Sequence, residues 1–212
     1  MTDVGRHPRI KLLTMSEVVD VKGYVGNFDV RIVKKARYVN ENQCTACGEC
    51  ARACPVVRPD EFDIGLSSRK AIYSPFPQAV PSAYVININE CLGHTPSVCS
   101  KCVEACDKGC IDFNMSDEEF IEKVGTIIVA TGLEPYNPTE LDEYGYARFE
   151  NVLTSMEFER LVNAGGPSQG ALIRPTDRKR PMSIGFIQCV GSRSARKGNS
   201  YCSNICLSLI HI

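Results

Sequence analysis

A chain of 212 residues accommodates one large domain or two small ones, and its 12 cysteines are many without reaching the density of a small disulfide-stapled scaffold. The 24 basic and 25 acidic residues leave a formal net charge of −1, which gives no electrostatic footprint for nucleic acid or an anionic membrane. At 43% hydrophobic and 23% charged, with no apolar run approaching the ~18 residues of a membrane helix, the sequence reads as folded, soluble and not inserted in a membrane. The start lacks the basic, apolar, small-residue order of a secretory signal, so the expected location is cytoplasmic and the thiols are expected reduced and available as ligands.

In chain order, β-branched runs at 10–14, 17–21 and 28–33, set around Gly23 and Gly26, predict a small antiparallel meander. Cys44, Cys47, Cys50 and Cys54 follow, and then a segment punctuated by Pro75, Pro77 and Pro81 that would not support a long helix. Residues 83–88 read as a strand delivering Cys91, ahead of Cys99, Cys102, Cys106 and Cys110. A short strand is expected at 111–113, polar extended chain or turns at 118–123, and a fully buried apolar strand at 124–132. Met156, Phe158, Leu161 and Val162, with Thr154 or Ser155 as cap and Gly165–Gly166 beyond, predict a helix over 155–163. A second apolar strand is expected at 182–189, leading into the polar loop before Cys202 and Cys206.

Cys44, Cys47, Cys50, Cys54 and Pro55 spell C-x2-C-x2-C-x3-C-P, the bacterial ferredoxin run. A tight loop with small residues such as Ala46 and Gly48 lets three thiolates converge on one cubane, while the fourth cysteine points to a second cluster. By that crossing rule one [4Fe-4S] cluster takes Cys44, Cys47, Cys50 and Cys106, and the other takes Cys91, Cys99, Cys102 and Cys54. The second motif is less regular, because a seven-residue loop containing His94 separates Cys91 from Cys99; His94 is expected to be solvated rather than a ligand. Cys110 has no place in either set and reads as a buried small hydrophobe rather than a competing fourth ligand for either cluster. The competing reading of the thiols is a pair of zinc knuckles in an interaction module, which leaves the x3-Cys-Pro tail unexplained. Cys189, Cys202 and Cys206, spaced C-x12-C-x3-C, match no general metal spacing and read as three buried thiols or an incomplete third cluster site. No G-x-G-x-x-G turn, Walker loop, G-x-S-x-G elbow or H-E-x-x-H motif is present, so redox chemistry is what the motifs support.

The ferredoxin run, together with VGRHPRIKLLT at 4–14, GYVGNF at 23–28, AIYSPFPQAVP at 71–81, IIVATG at 127–132 and FIQCVGSR at 186–193, resembles the A subunit of heterodisulfide reductase and its relatives in sulfate reducers. The likeness extends from residue 4 to about 206. It implies an α+β architecture in which a ferredoxin-like domain with two [4Fe-4S] clusters is inserted into part of a thioredoxin-reductase-like α/β FAD domain. The implied units are a β-meander at 1–35, the insert at 36–115, a continuation of the flavoprotein domain at 116–206 and a non-native tail at 207–212. Within the flavoprotein portion, Thr131 and Gly132 correspond to the turn that approaches FAD. The implied function is electron transfer in an oxidoreductase that exchanges electrons with a hydrogenase or other donor, with ferredoxin and with the other heterodisulfide reductase subunits. The A subunit of a quinone-interacting membrane-bound oxidoreductase is a related alternative. Two departures qualify the likeness. The family's glycine-rich FAD-binding turn lies upstream of the segment matched here, so the chain resembles an internal fragment. The family's further cluster uses C-x12-C-x3-C-C, and this chain has Leu207 where the last cysteine would stand, leaving a third [4Fe-4S] cluster with three of its four ligands.

Overall fold

The computed structural model describes residues 2–93, 99–132, 134–195 and 199–202. The chain divides into two compact units, Met1–Val129 and Ala130–Ile212.

The first unit begins with a short helix, α1 (Thr2–Arg6), followed by β1 (Ser16–Tyr24) and β2 (Asn27–Lys34), an antiparallel hairpin turning at Val25 and Gly26. Val19 is a bulge residue, since the register shifts between Val18 and Asp20. The third strand of this sheet comes from far along the chain: β7 (Glu118–Val124) pairs antiparallel with β2 from Phe28↔Val124 to Lys34↔Glu118. The observed sheet is thus not the meander of neighbouring runs read from the sequence. Residues 10–14 lie outside it, and the charged segment after 117 supplies the missing edge. Alternation decides the packing: Val30 and Ile32 of β2 are buried, while Asp29 and Arg31 face outward and reach Lys123 at 3.9 Å and Glu119 at 3.2 Å.

All of the chain from Lys35 to Asp117 lies between two strands that are hydrogen-bonded neighbours. Its ends are clasped together, the Ala36 N–H donating to Asp117 Oδ1 at 2.8 Å and Lys35 Nζ standing 3.2 Å from Asp117 Oδ2. These donors, the Ala36 N–H foremost, hold the Asp117 carboxyl below its ordinary value. Regular structure in this stretch is brief: α2 (Glu49–Ala53), β3 (Arg58–Pro59), β4 (Ser68–Arg69), β5 (Ile72–Tyr73), β6 (Val85–Ile86) and α3 (Lys101–Glu104). β3 pairs with β4 and β5 with β6. The strand expected over 83–88 shrinks to β6, and that expected over 111–113 to a single bridge between Val39 and Ile111. Val39, Ala71, Ile72 and Ile86 form the core together with Cys50, Cys54, Cys102 and Cys110, so half of its fully buried side chains are thiols.

A buried cation organises one flank of this core. The Arg69 guanidinium forms two hydrogen bonds to Glu61, donates to Glu90 Oε2 at 2.8 Å and to the Lys70 carbonyl at 3.1 Å, and stacks 4.1 Å above the Tyr73 ring. Glu90 immediately precedes Cys91, so the network anchors the start of the second cysteine loop. On another flank Arg37, also buried, donates to Thr14 Oγ1 at 3.2 Å and to the Ala83 carbonyl at 3.3 Å.

The second unit is sparser. It contains 3₁₀ turns at Pro138–Glu140 and Asp142–Tyr144 and one helix, α4 (Ser155–Val162), where the sequence predicts it. A capping box starts that helix: the Glu157 N–H donates to Thr154 Oγ1 at 3.2 Å and the Thr154 N–H to Glu157 Oε2 at 2.6 Å. Tyr146 adds a hydrogen bond to Glu157 Oε1 at 2.9 Å, which accounts for a buried carboxylate at the helix start.

Two expected strands are corrected. Of the apolar run 124–132, only Val124 belongs to a strand, and the rest is exposed, Ile128 by 88%. The run 182–189 is likewise irregular, with Met182 exposed by 99%. Each has the composition of a buried strand, but a strand exists only where a neighbour accepts its backbone hydrogen bonds, and beyond Gly125, whose carbonyl accepts from the Gly26 N–H at 2.9 Å, no described segment pairs with either run. Among the described residues, no helix is long and apolar enough to cross a membrane.

Candidate metal centre

The two cysteine motifs are presented by matching local structures. In the first, Cys44 ends a turn closed by its own N–H donating to the Asn40 carbonyl at 3.0 Å, and Ala46 and Gly48 both take positive φ, at 55° and 85°. Gly48 is required for a further reason: a Cβ there would stand 3.2 Å from the Tyr84 hydroxyl. The chain then enters α2, which carries Cys50, and leaves it in extended conformation at Cys54. In the second motif Cys102 lies on α3, and Cys106 follows, its N–H donating to the Val103 carbonyl at 3.1 Å. Cys91 and Cys99 approach through Gly93, where a Cβ would fall 2.4 Å from the Cys99 carbonyl oxygen. The Gly93 N–H donates to Cys91 Sγ at 3.4 Å. His94 lies outside the described residues.

The thiols surround two cavities, each drawing on both motifs. The first, about 230 Å³, has Cys44, Cys47, Cys50, Cys106 and Cys110 in its wall, together with Tyr84, Glu49, Asp107 and Lys108. The second is narrower, about 20 Å³, and is walled by Cys54, Cys91, Cys99 and Cys102 against Val56, Ala71, Ile72 and Ile86. Cys54 therefore stands with the second motif and Cys106 with the first.

Electrostatic coupling follows the same grouping. Burial pushes the Cys50 thiol up to about 11, and the neighbouring Cys44, Cys106 and Cys47 sulfurs add to the rise. Burial also pushes Cys102 up to about 11, with Cys91 and Cys54 as its sulfur neighbours. Tyr84 is raised by burial and then by Cys50, Cys47 and Cys44. Cys110, raised to about 12 by burial and the adjacent Cys106, lies with its sulfur 3.4 Å from that of Cys106. For Cys106, burial is outweighed by backbone N–H groups of Cys110, Lys108 and Gly109 and by the Cys110 thiol, which hold it below its ordinary value. Such walls suit a cationic, thiophilic centre: each cavity presents at least four soft donors, and for Cys50 and Cys102 the thiolate form is costly unless a metal compensates its charge.

The remaining expected site residues are not gathered in this way. Thr131 and Gly132 are exposed, and a Cβ built on Gly132 would meet nothing within 4 Å. Cys189 and Cys202 are half-buried, and the chain between them folds back, Arg193 N–H donating to the Tyr201 carbonyl at 3.1 Å and Ser194 N–H to the Asn199 carbonyl at 2.9 Å. Cys206 and the expected tail at 207–212 lie outside the described residues. Sequence reading missed the placement of Cys110 in the first cavity, the Arg69 anchor and the contact of Tyr84 with the first motif. Only Cys110 had a visible signal, as a fifth thiol near the ferredoxin pattern.

Comparison with known proteins agrees with this site. The family described as a 4Fe-4S binding domain matches residues 37–57. The chain is 50% identical over 206 residues to the iron-sulfur A subunit of the CoB–CoM heterodisulfide reductase of Methanocaldococcus jannaschii, covering 97% of this chain and 31% of that protein. It is 54% identical over 206 residues to an iron-sulfur A subunit of the same enzyme from Methanopyrus kandleri, with the same coverage. It is 47% identical over 210 residues to the A subunit of the H2:CoB–CoM heterodisulfide,ferredoxin reductase of Methanothermobacter thermautotrophicus, covering 99% of this chain and 31% of that protein. The chain thus spans about a third of the length of the curated relatives it matches, and over that span it resembles heterodisulfide reductase A subunits closely.

Proposed function

We propose that this relative of the heterodisulfide reductase A subunits is an electron relay with two [4Fe-4S] clusters, one held by Cys44, Cys47, Cys50 and Cys106 and the other by Cys91, Cys99, Cys102 and Cys54. The observation that carries the reading is that Cys106 lines the cavity of the first motif, beside Cys44, Cys47, Cys50 and the additional thiol Cys110, while Cys54 lines that of Cys91, Cys99 and Cys102, which is the exchange of fourth ligands expected of a two-cluster ferredoxin run. When bound, such clusters accept and release single electrons. The chain's own part is to hold and insulate them. Gly48 and Gly93 permit close approach of the loops, the Gly93 N–H stabilises charge on Cys91, and Val56, Ala71, Ile72 and Ile86 exclude water from the second site.

By the likeness to the reductase subunits, the electrons pass to or from a flavin in the longer protein, with the turn at Thr131 and Gly132 facing it, and onward to ferredoxin and the other reductase subunits. The inserted arrangement of 36–115 within a flavoprotein domain belongs to the same proposal, and the clasp at Ala36 and Asp117 supports it. The deciding experiment is anaerobic reconstitution followed by iron, zinc and acid-labile sulfide analysis and EPR of the reduced protein. About eight iron and eight sulfide per chain with spin-coupled [4Fe-4S] signals is the expected result, and about twelve of each would add the Cys189, Cys202 and Cys206 group as a third centre. Zinc without sulfide would sink the proposal.

A further inference from the structure

The first cavity holds one thiol more than a cluster needs. Cys44, Cys47, Cys50 and Cys106 satisfy the four irons of a cubane, one each, yet Cys110 is buried in the same wall with its sulfur 3.4 Å from Cys106 Sγ and a second sulfur interaction with Cys44. Two sulfurs in direct contact cannot each cap a separate iron, so one of the pair is a ligand and the other its neighbour. The ferredoxin spacing assigns Cys106 as the ligand, and Cys110 is held beside it by its own carbonyl, which accepts from the Asn40 N–H at 2.7 Å. Cys110 also immediately precedes Ile111, whose bridge to Val39 locks the segment against the first motif.

Resting on the ligand reading above, we infer that Cys110 is a non-ligating positioning residue whose S–H donates a hydrogen bond to the Cys106 sulfur and thereby raises the reduction potential of the first cluster. Hydrogen bonds to cluster sulfurs favour the more negative, reduced state, so deleting one makes reduction harder. No bond is made or broken in this role, and the proton stays on Cys110.

The test uses the reconstituted whole chain and two substitutions, Cys110→Ala, which removes the donor, and Cys110→Ser, which keeps one. Both variants retain the wild-type iron and sulfide content. In an EPR-monitored redox titration, Cys110→Ala shifts the oxidised-to-reduced ratio of the first cluster at fixed potential by about fivefold, the scale of one net hydrogen bond, equivalent to a midpoint about 40 mV lower. The second cluster is unmoved, and Cys110→Ser restores most of the shift. An unchanged midpoint in Cys110→Ala would overturn the inference in favour of a simple packing role. Loss of about four irons in Cys110→Ala, with Cys106→Ala retaining them, would overturn it in favour of Cys110 as the ligand. A wild-type chain that takes up no iron and sulfide removes the two-cluster reading itself, an outcome told apart from the others before any variant is made.

Discussion

Replacing Arg69 by Met removes a guanidinium whose side chain is only 3% exposed, and the consequence is legible from its partners. The contact with Glu61 counts for little because that carboxylate is 67% exposed and water replaces the lost partner. Glu90 is different: at 23% exposure it keeps a charge that solvent only partly reaches, and the charged hydrogen bond at 2.8 Å is of the kind that contributes roughly 1.5–3 kcal/mol. Adding the Lys70 carbonyl and the stacking on Tyr73 brings the expected cost to about 3 kcal/mol, partly offset by the apolar Met stem filling the same space. Because Glu90 adjoins Cys91, the cost falls on the loop that closes the second cavity. Under mild denaturant the second cluster of Arg69→Met should therefore be released up to about a hundredfold faster than in wild type, if release follows local opening. Stopped-flow absorbance with EPR at time points separates the two clusters. Equal loss of both, or a rate within twofold of wild type, would refute the argument that this network anchors the Cys91 loop.

Cys54→Ser should cost the cluster of the second motif, and Cys106→Ser that of the first; EPR of each variant checks this, and selective loss of the opposite signal would reverse the ligand exchange. The second cavity is lined by apolar Val56, Ala71, Ile72 and Ile86 while the lining of the first includes Glu49, Asp107, Lys108 and Tyr84, so the second cluster should have the lower reduction potential, as read by redox titration. Thr154→Ala removes one arm of the capping box and should destabilise α4 by about 1 kcal/mol, seen as roughly fivefold faster hydrogen exchange of its amides with little change in the cluster signals.

The site was far more legible than the scaffold. Cysteine spacing alone groups Cys54 with the second motif and Cys106 with the first, as the cavity linings do, because the turns that bring such thiols together are local and leave their mark within a dozen residues. The sheet was not legible in the same way: Glu118–Val124 is charged and irregular in hydropathy, and it becomes a strand only by pairing with β2 from across the whole inserted stretch. The apolar runs 124–132, beyond Gly125, and 182–189 failed for the complementary reason, having strand composition with no described segment to pair with. The roles of Arg69 and Arg37 were not legible because partners such as Glu90 and the Ala83 carbonyl come from distant segments.

The position of the cysteines between β2 and β7 also sets an order of events during folding. The pairing of Lys34 with Glu118 closes a loop that contains every cysteine of both cavities, and in an unfolded loop that closure is entropically costly and slow. Once the thiols have condensed around metal, Ala36 and Asp117 are already neighbours and the same closure spans a few residues. Under the two-cluster proposal, cluster assembly would therefore speed closure of the sheet along the β2 edge that carries Val30 and Ile32.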